Sequence, residues 1–592
     1  MSRPLLLSGL AMVLGIVAAD FGFNENGATV PRWLDGALWV LCALLALLAA
    51  RDYRRRTVYA SSTRFTVLVA LFFFVLGFMR YCMVAEQTRA AWAAMQRPPV
   101  NRGNPDELDY RRWRWVQGER DSTSLLAGLR ERGLAARQRL LQRYRLSGLQ
   151  DQALAVVTAM TLGDRTLLTS DTRDLFAEAG ASHLLALSGL HLGILTGLLF
   201  LLLTSWLVCS RWRWPVGVLS LVYIWAYVFV AGLPASLVRA GVMSSLFLIG
   251  TLLQRRSRPL HLLLLTAVLM LLCWPMYLFD VGARLSLLAV AGIAVVYQPA
   301  YEWLFEHGRV LMFRLERWHV TSIISLLGVS LAAQLFTLPL VMVTFHRVPL
   351  YGVLFSVLLI PLTTVIVLMA LAVLLVGSVW LSAGQWLAAG LAWLVGAQMW
   401  VMQTGMQLPG ASVPDFWSRK AEPQLVVYHN RRCPALHLIA SPSQSWLLMP
   451  EPERADSGMY YIRRDFWQRR LTAEPQVLAG RHAVAATGMT AVMVDSAYKS
   501  HKSYNSYKTY ETYESYETND APPRTVDILW VTRGFRGGRL GQLATQYRPR
   551  LLVLDASLPR WQRLTLRQEA TRMGWPFYDV AEQGALRIKL PL

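Results

Sequence analysis

Eleven apolar runs of spanning or near-spanning length recur along this chain, at roughly 5–20, 36–50, 65–80, 183–207, 215–231, 236–253, 260–277, 283–300, 320–343, 350–376 and 385–407. A helix of about 20 apolar residues crosses the roughly 30 Å hydrocarbon layer, and only helices or closed barrels satisfy their own backbone there. The pattern therefore predicts an α-helical polytopic membrane protein with about eleven spans, in contact with membrane lipids. Composition excludes the soluble alternative: 592 residues are 54% hydrophobic and only 16% charged, too apolar for a soluble chain of this size.

Short loops between the runs differ in charge. Arg51 to Arg64, Arg211 to Arg213, Arg255 to Arg258 and Arg309 to Arg317 are arginine-rich, whereas the alternate short loops hold little beyond Arg32 and Arg347. By the positive-inside rule the arginine-rich set is cytoplasmic. The same alternation places the N-terminus inside and both long polar regions, 81–182 and 408–592, on the outer face. Val17-Ala18-Ala19 after the first apolar run also offers a signal-peptide cleavage site, but removal of that run would invert the parity of the basic loops, so it is read as a retained span. The chain then divides into N-terminal transmembrane helices (1–80), a basic amphipathic region (81–182), a transmembrane core (183–407) and a soluble tail (408–592).

The formal net charge of +22 favours polyanions, either nucleic acid or acidic headgroups. Within 81–182, Leu125, Leu126, Leu129, Leu134, Leu140, Leu141 and Leu146 alternate at near-helical spacing with Arg130, Arg132, Arg137, Arg139, Arg143 and Arg145. That is a basic amphipathic helix, read as lying on the membrane surface. Just upstream, Tyr110, Arg111, Arg112, Trp113, Arg114 and Trp115 interleave aromatics with guanidiniums. Two readings stand side by side: bases of a single strand stack on such rings while the arginines neutralise its phosphates, or the segment is an interfacial anchor.

Ionisable groups within apolar runs are costly and default to a functional reading. His183, Ser188 and His191 open the fourth run, followed by Arg239, Asp280, Arg284, Gln334 and His346 in or at the edges of later ones. These are the candidate lining of a polar pathway. One continuous helix would place His183, Leu187 and His191 on a single ridge, with Gly189, Gly193 and Gly197 on an adjoining ridge for close helix packing. Asp280 and Arg284, four residues apart, are spaced for an ion pair. Five scattered cysteines show no disulfide or zinc spacing, and no third ligand accompanies the histidines, so no metal or cofactor is expected.

The run Ala181 to Gly193 resembles the signature of the ComEC-type competence proteins, inner-membrane channels that carry single-stranded DNA into bacteria during natural transformation. Gly163-Asp164-Arg165, Arg173 to Phe176 with Ala179-Gly180, and Asn104-Pro105 with Asp109-Tyr110 are similar to the family's lead-in. Arg239-Ala240, Asp280 with Gly282, Leu285-Ser286, Thr337 with Pro339, Phe345-His346 and Ile360-Pro361-Leu362 stand where similar residues stand downstream. The resemblance implies single-stranded DNA as cargo, a competence DNA receptor and a cytoplasmic DNA-translocating ATPase as partners, and the bacterial inner membrane as location. Homo-oligomerisation is left open. Two departures matter: Ala283-Arg284 replaces the family's usual Phe-Gln, and Ser356 its usual Asn. The family's OB-like module is also missing, since only about twenty residues separate Tyr81 from Val100.

Short strands are predicted at 424–428, 435–440, 445–448, 526–531 and 550–555 with helices near 540–547 and 560–573, giving a small α/β domain. The tract 498–520 repeats Ser-Tyr, Thr-Tyr and Glu-Tyr with almost no aliphatic residue and reads as a disordered insert. Strands 526–531 and 550–555 with Leu558 to Trp561 resemble the closing part of the metallo-β-lactamase-like domain that ends many ComEC-type proteins. A dinuclear hydrolase needs clustered His and Asp ligands, and the sequence has no His-x-His-x-Asp-His run, only isolated His429, His437, His482 and His501. Asp555 reads as a turn or cap residue. Gly534 to Gly541 lacks the Lys-Ser/Thr ending of a Walker loop. The expectation is a channel with a degenerate, non-enzymatic tail. A transporter of another anionic solute and a non-transporting paralogue are the rival readings.

Overall fold

In the computed structural model, the residues described are 3–24, 32–54, 63–95, 101–105, 109–117, 125–208, 213–255, 258–307, 318–345, 347–349, 351–407, 412–414, 421–451, 453, 459, 462–467, 470–478, 483–486, 489–494, 523–533, 535 and 540–590. His346 and the Tyr-rich tract 498–520 lie outside them. The chain forms two compact units, one of residues 1–98 and 112–415 and one of 99–111 and 416–592.

The first unit is helical. In chain order it contains α1 (Arg3–Phe23), α2 (Arg32–Arg54), α3 (Thr63–Ala94), α4 (Tyr110–Gln117), α5 (Leu125–Leu146), α6 (Asp151–Leu162), α7 (Ser170–Glu178), α8 (Ser182–Leu185), α9 (Gly189–Val208), α10 (Arg213–Val230), α11 (Ala235–Leu252), α12 (Pro259–Cys273), α13 (Val281–Gly292), α14 (Gln298–His307), α15 (Trp318–Phe345), α16 (Gly352–Val379) and α17 (Leu381–Met406). One π turn, Ile293–Tyr297, joins α13 to α14. Pro299 follows it, and its missing N–H removes the ordinary helical bond at that point. Two three-residue strands, β1 (Arg347–Pro349) and β2 (Ser412–Pro414), pair antiparallel.

Among the described residues, seven helices are long and apolar enough to cross a membrane, within α1, α3, α10, α11, α13–α14, α15 and α16. The protein is thus an integral membrane protein, but the count of eleven is not reproduced. Helix α12 has only 15 residues because Pro275 follows it and forces Trp274 into an extended conformation. Helix α17 is 26 residues long but is not among the seven. The boundary expected at residue 80 also moves, since α3 runs unbroken to Ala94.

Glycines set the helix spacing. A Cβ on Gly15 of α1 would lie 2.0 Å from the Phe74 carbonyl oxygen of α3, and one on Gly77 would lie 2.5 Å from the Met12 carbonyl. Similar backbone approaches occur at Gly133 (2.4 Å from Phe229 O) and Gly292 (2.4 Å from Ala332 O). Because lipid offers no hydrophobic drive between helices, such close contacts carry the association. Helix α5 packs within the bundle rather than standing apart, and Leu129 and Leu146 of the expected apolar stripe are exposed. Its Tyr144 is fully buried with Val156, Met160, Phe176, Ile366 and Leu391, while Arg130, Arg132, Arg139, Arg143 and Arg145 stay exposed.

The second unit is α/β. Sheet one orders its strands β11-β10-β9-β8-β7 and sheet two β12-β3-β4-β5-β6, with β3 (Gln424–Val427), β4 (Leu436–Ser441), β5 (Gln444–Leu448), β6 (Gln476–Leu478), β7 (Ala483–Ala486), β8 (Met489–Val494), β9 (Arg524–Val531), β10 (Tyr547–Leu554), β11 (Phe577–Asp579) and β12 (Leu586–Lys589). Strands β8 to β11 run parallel, whereas β12, β3, β4 and β5 pair antiparallel. The sheets share one core: Leu425, Leu436 and Leu438 meet Met493, Ile528, Trp530 and Val553. Helix α18 (Gly541–Ala544) and helix α19 (Arg560–Met573) contribute Leu543, Leu566 and Ala570 to the cluster behind sheet one, and α20 (Val580–Gln583) precedes β12.

The Asn104-Pro105 segment belongs to this unit. Ala585 N–H donates to Arg102 O (2.7 Å), Arg587 Nη2 to Gly103 O (2.8 Å) and His429 N–H to Asn104 Oδ1 (2.8 Å). Gly103 and Gly584 make the approach possible at φ 72° and 87°.

Candidate functional site

The fourth apolar run is not one helix. Its α8 segment ends at Ala186, which is extended (φ −82°, ψ 128°), and α9 restarts at Gly189. The ridge expected through His183, Leu187 and His191 therefore does not form. Ser188 is the physical reason. Its Oγ accepts from Leu190 N–H (3.2 Å), while Nδ1 of His191 accepts from the Ser188 N–H (3.3 Å) and lies 3.0 Å from Ser188 Oγ. This is a reciprocal cap with histidine in the place usually held by Glu or Gln. It fixes His191 with Nδ1 as acceptor, so the ring proton resides on Nε2. That Nε2 is buried and has no hydrogen-bond partner among the described residues.

Arg239 of α11 meets this helix start. Arg239 is 6% exposed and is the one charged residue of α11. Nη1 donates to Ser286 O at 2.5 Å, Nε has no partner, and no described carboxylate pairs with it. Nη2 lies 2.6 Å from where a Cβ on Gly189 would sit. Ser236, also on α11, donates to Leu187 O at 2.6 Å and ties the break to the same helix. The expected packing ridge thus contracts to Gly189, because nothing lies within 4 Å of a Cβ on Gly193 or Gly197. A buried cation without an anion is costly, and here it stands beside the positive end of a helix dipole.

The other candidates are dispersed. His183 is exposed, with Nδ1 3.1 Å from Gly180 O. Asp280 caps α13 by accepting from Ala283 N–H (2.7 Å). Arg284 donates to the Leu278 carbonyl and lies over the Phe279 ring (5.8 Å). Gln334 donates to Pro349 O at 3.4 Å.

The Tyr110 to Trp115 segment divides in function. Trp115 is fully buried, donates to Tyr81 Oη (3.1 Å) and packs edge-on against Trp92 (5.3 Å). Arg112 pairs with Asp20 (2.7 Å) and covers the Phe279 ring (4.8 Å). Neither is available to stack a base, which corrects the single-strand reading for these two. Tyr110 and Trp113 remain exposed, each at 44%. Interleaving in sequence disguised two faces of an eight-residue amphipathic helix.

In the soluble unit, His437 is fully buried against Tyr428, Phe466 and Trp467, with Nδ1 2.7 Å from Tyr428 Oη. Burial pushes its pKa down to about 3. His429 is lowered to about 4 by burial, then by Arg431 and Arg102. Asp555 accepts from Trp530 Nε1 (3.1 Å) and Ser557 N–H (2.7 Å), and burial raises it to about 6. Among the described residues no group of three or more His, Cys, Asp or Glu is placed to hold a metal ion. His482 and His501 lie outside them.

Comparisons with known proteins follow the same division of the chain. The Competence protein family model matches residues 160–428 and the ComEC C-terminal domain model residues 425–590. ComE operon protein 3 of Bacillus subtilis is 30% identical over 220 residues, 37% of this chain and 26% of that protein. Recombination protein 2 of Haemophilus influenzae is 26% identical over 219 residues (36% and 27%), and the uncharacterized protein YcaI of Escherichia coli 26% over 244 (40% and 30%). The aligned segment spans under a third of each relative. No solved structure matches. The two family models adjoin on one chain in the order membrane core then α/β tail, and the chain belongs to the ComEC/Competence family, with a ComEC C-terminal domain.

Proposed function

We propose that this protein is a channel of the bacterial inner membrane that passes single-stranded DNA from the periplasm to the cytoplasm during natural transformation. The observation that carries the reading is the broken helix at Ala186–Ser188, where a helix start capped by Ser188 and His191 meets the buried Arg239 guanidinium, which no described carboxylate pairs with. A strand with one negative charge per nucleotide needs such cationic, donor-rich lining to cross hydrocarbon. Family membership supports the same reading. A competence DNA receptor would deliver the strand and a cytoplasmic ATPase would draw it in. The soluble unit faces the periplasm and, its sequence having no His-x-His-x-Asp-His run, does not hydrolyse DNA.

Transformation frequency in a deletion strain tests the proposal. Complementation with the intact chain restores transformants and an empty vector does not. Wild-type transformation in the deletion strain would refute it and leave transport of another anion, or no transport, as the function.

A further inference from the structure

We propose that the first turn of α9 and Arg239 together form a binding site for one phosphate anion, occupied in turn by successive backbone phosphates of a passing strand. The inference rests on the channel reading for its cargo, but the site itself is argued from donors alone. The guanidinium carries five N–H donors, and a single backbone carbonyl, Ser286 O, is the hydrogen-bond acceptor the structure gives them. Helix geometry leaves the N–H groups of Gly189 and His191 without an intrahelical carbonyl, whereas that of Leu190 is taken by Ser188 Oγ. The guanidinium and the open first turn at Gly189 thus meet where no described carboxylate neutralises them.

Gly189 makes the convergence possible. A Cβ there would stand 2.6 Å from Nη2 and push the guanidinium tip away from the open end of the helix. A planar guanidinium fork beside a helix N-terminus matches a tetrahedral oxyanion bearing several acceptors. A purely structural arginine would instead be saturated by carbonyls or a carboxylate. Two sources present this chemistry, a nucleic-acid strand and a phospholipid headgroup, and the test separates them.

The full chain with its cysteines replaced and Leu190→Cys added, a position 37% exposed beside the helix start, is placed in phosphatidylcholine nanodiscs. Modification by a neutral water-soluble thiol reagent is followed with and without a ten-nucleotide oligothymidylate, at constant chloride. The oligonucleotide slows modification at least tenfold, Arg239→Gln abolishes the protection, and Gly189→Ala, which keeps the charge but crowds Nη2, weakens it. The second variant preserves the test if Arg239→Gln fails to fold. An unreactive Leu190→Cys, or protection unchanged in both variants, overturns the site. If phosphatidylglycerol nanodiscs protect in an Arg239-dependent way and the oligonucleotide does not, the phosphate site stands and its DNA cargo is refuted.

Discussion

Substituting Gly15 by alanine adds one methyl group where the structure has no room for it. The new Cβ would lie 2.0 Å from Phe74 O, 2.9 Å from Phe74 C and 3.1 Å from Phe78 N, all backbone atoms that cannot rotate away. Ordinary contact begins at 3.4 Å, so α1 and α3 must part by roughly 1.4 Å, beyond the 0.5–1 Å gap that already forfeits a quarter to a half of each dispersion well. Met12, Ile16 and Ala19 on α1 and Tyr81, Cys82 and Ala85 on α3 share the core that opens. Overpacking costs about 1–3 kcal/mol when side chains can yield. Here they cannot, so the expected loss is at or above ~3 kcal/mol by the same measure. Gly22→Ala on the same helix is the control, because nothing lies within 4 Å of its Cβ. Thermal unfolding in detergent and steady-state abundance should fall for Gly15→Ala and hold for Gly22→Ala. Equal stability of the two would refute the close-approach argument.

The soluble unit should respond to acid through opposed groups. His437, neutral in the fold with a pKa of about 3, contributes stability that is complete above its unfolded pKa near 6.5 and is lost as pH falls toward 3, about 2 kcal/mol by pH 5. Asp555, raised to about 6, works the other way, its stabilising protonated form being lost as pH rises through 6. Asp555→Asn should therefore steepen, and His437→Gln flatten, the decline in thermal midpoint from pH 7 to 5; slopes unchanged in both would sink this assignment. Trp115→Ala should cost about 3–5 kcal/mol in detergent unfolding, whereas exposed Trp113→Ala should leave stability within about 0.5 kcal/mol. Purified full-length protein should bind no stoichiometric zinc or manganese and cleave neither single- nor double-stranded DNA; chelator-sensitive cleavage would make it a nuclease.

Hydropathy reads length and apolarity but not breaks. The leucines of Leu184 to Leu192 continue across the interruption at Ala186–Ser188, and its only local signal is Ser188 three residues before His191. That spacing is a capping box with an unusual last member. Gly193 and Gly197 share the small-residue spacing yet meet nothing, whereas Gly15 and Gly77 stand alone in sequence and each meets the facing helix, at Phe74 and Met12. Packing partners are tertiary information that spacing on one helix does not hold. Likewise nothing local ties Asn104 to His429, 325 residues away. Strands were more legible: Ile528 to Val531 and Leu551 to Leu554 form the apolar cores of paired parallel strands, and their continuous apolar runs mark them directly. Arg239 and His191 were visible as polar anomalies in apolar helices, but the approach of Arg239 to Gly189 was not.

The most direct test of the central claim is to ask whether the strand passes this broken helix. A photo-crosslinking residue at Leu190, beside the α9 start, and another at Leu358, exposed on the apolar face of α16, can be activated in competent cells while labelled donor DNA is being taken up. The account predicts covalent capture of single-stranded donor DNA at Leu190 and none at Leu358. Cells that transform normally with no capture at Leu190 would contradict it.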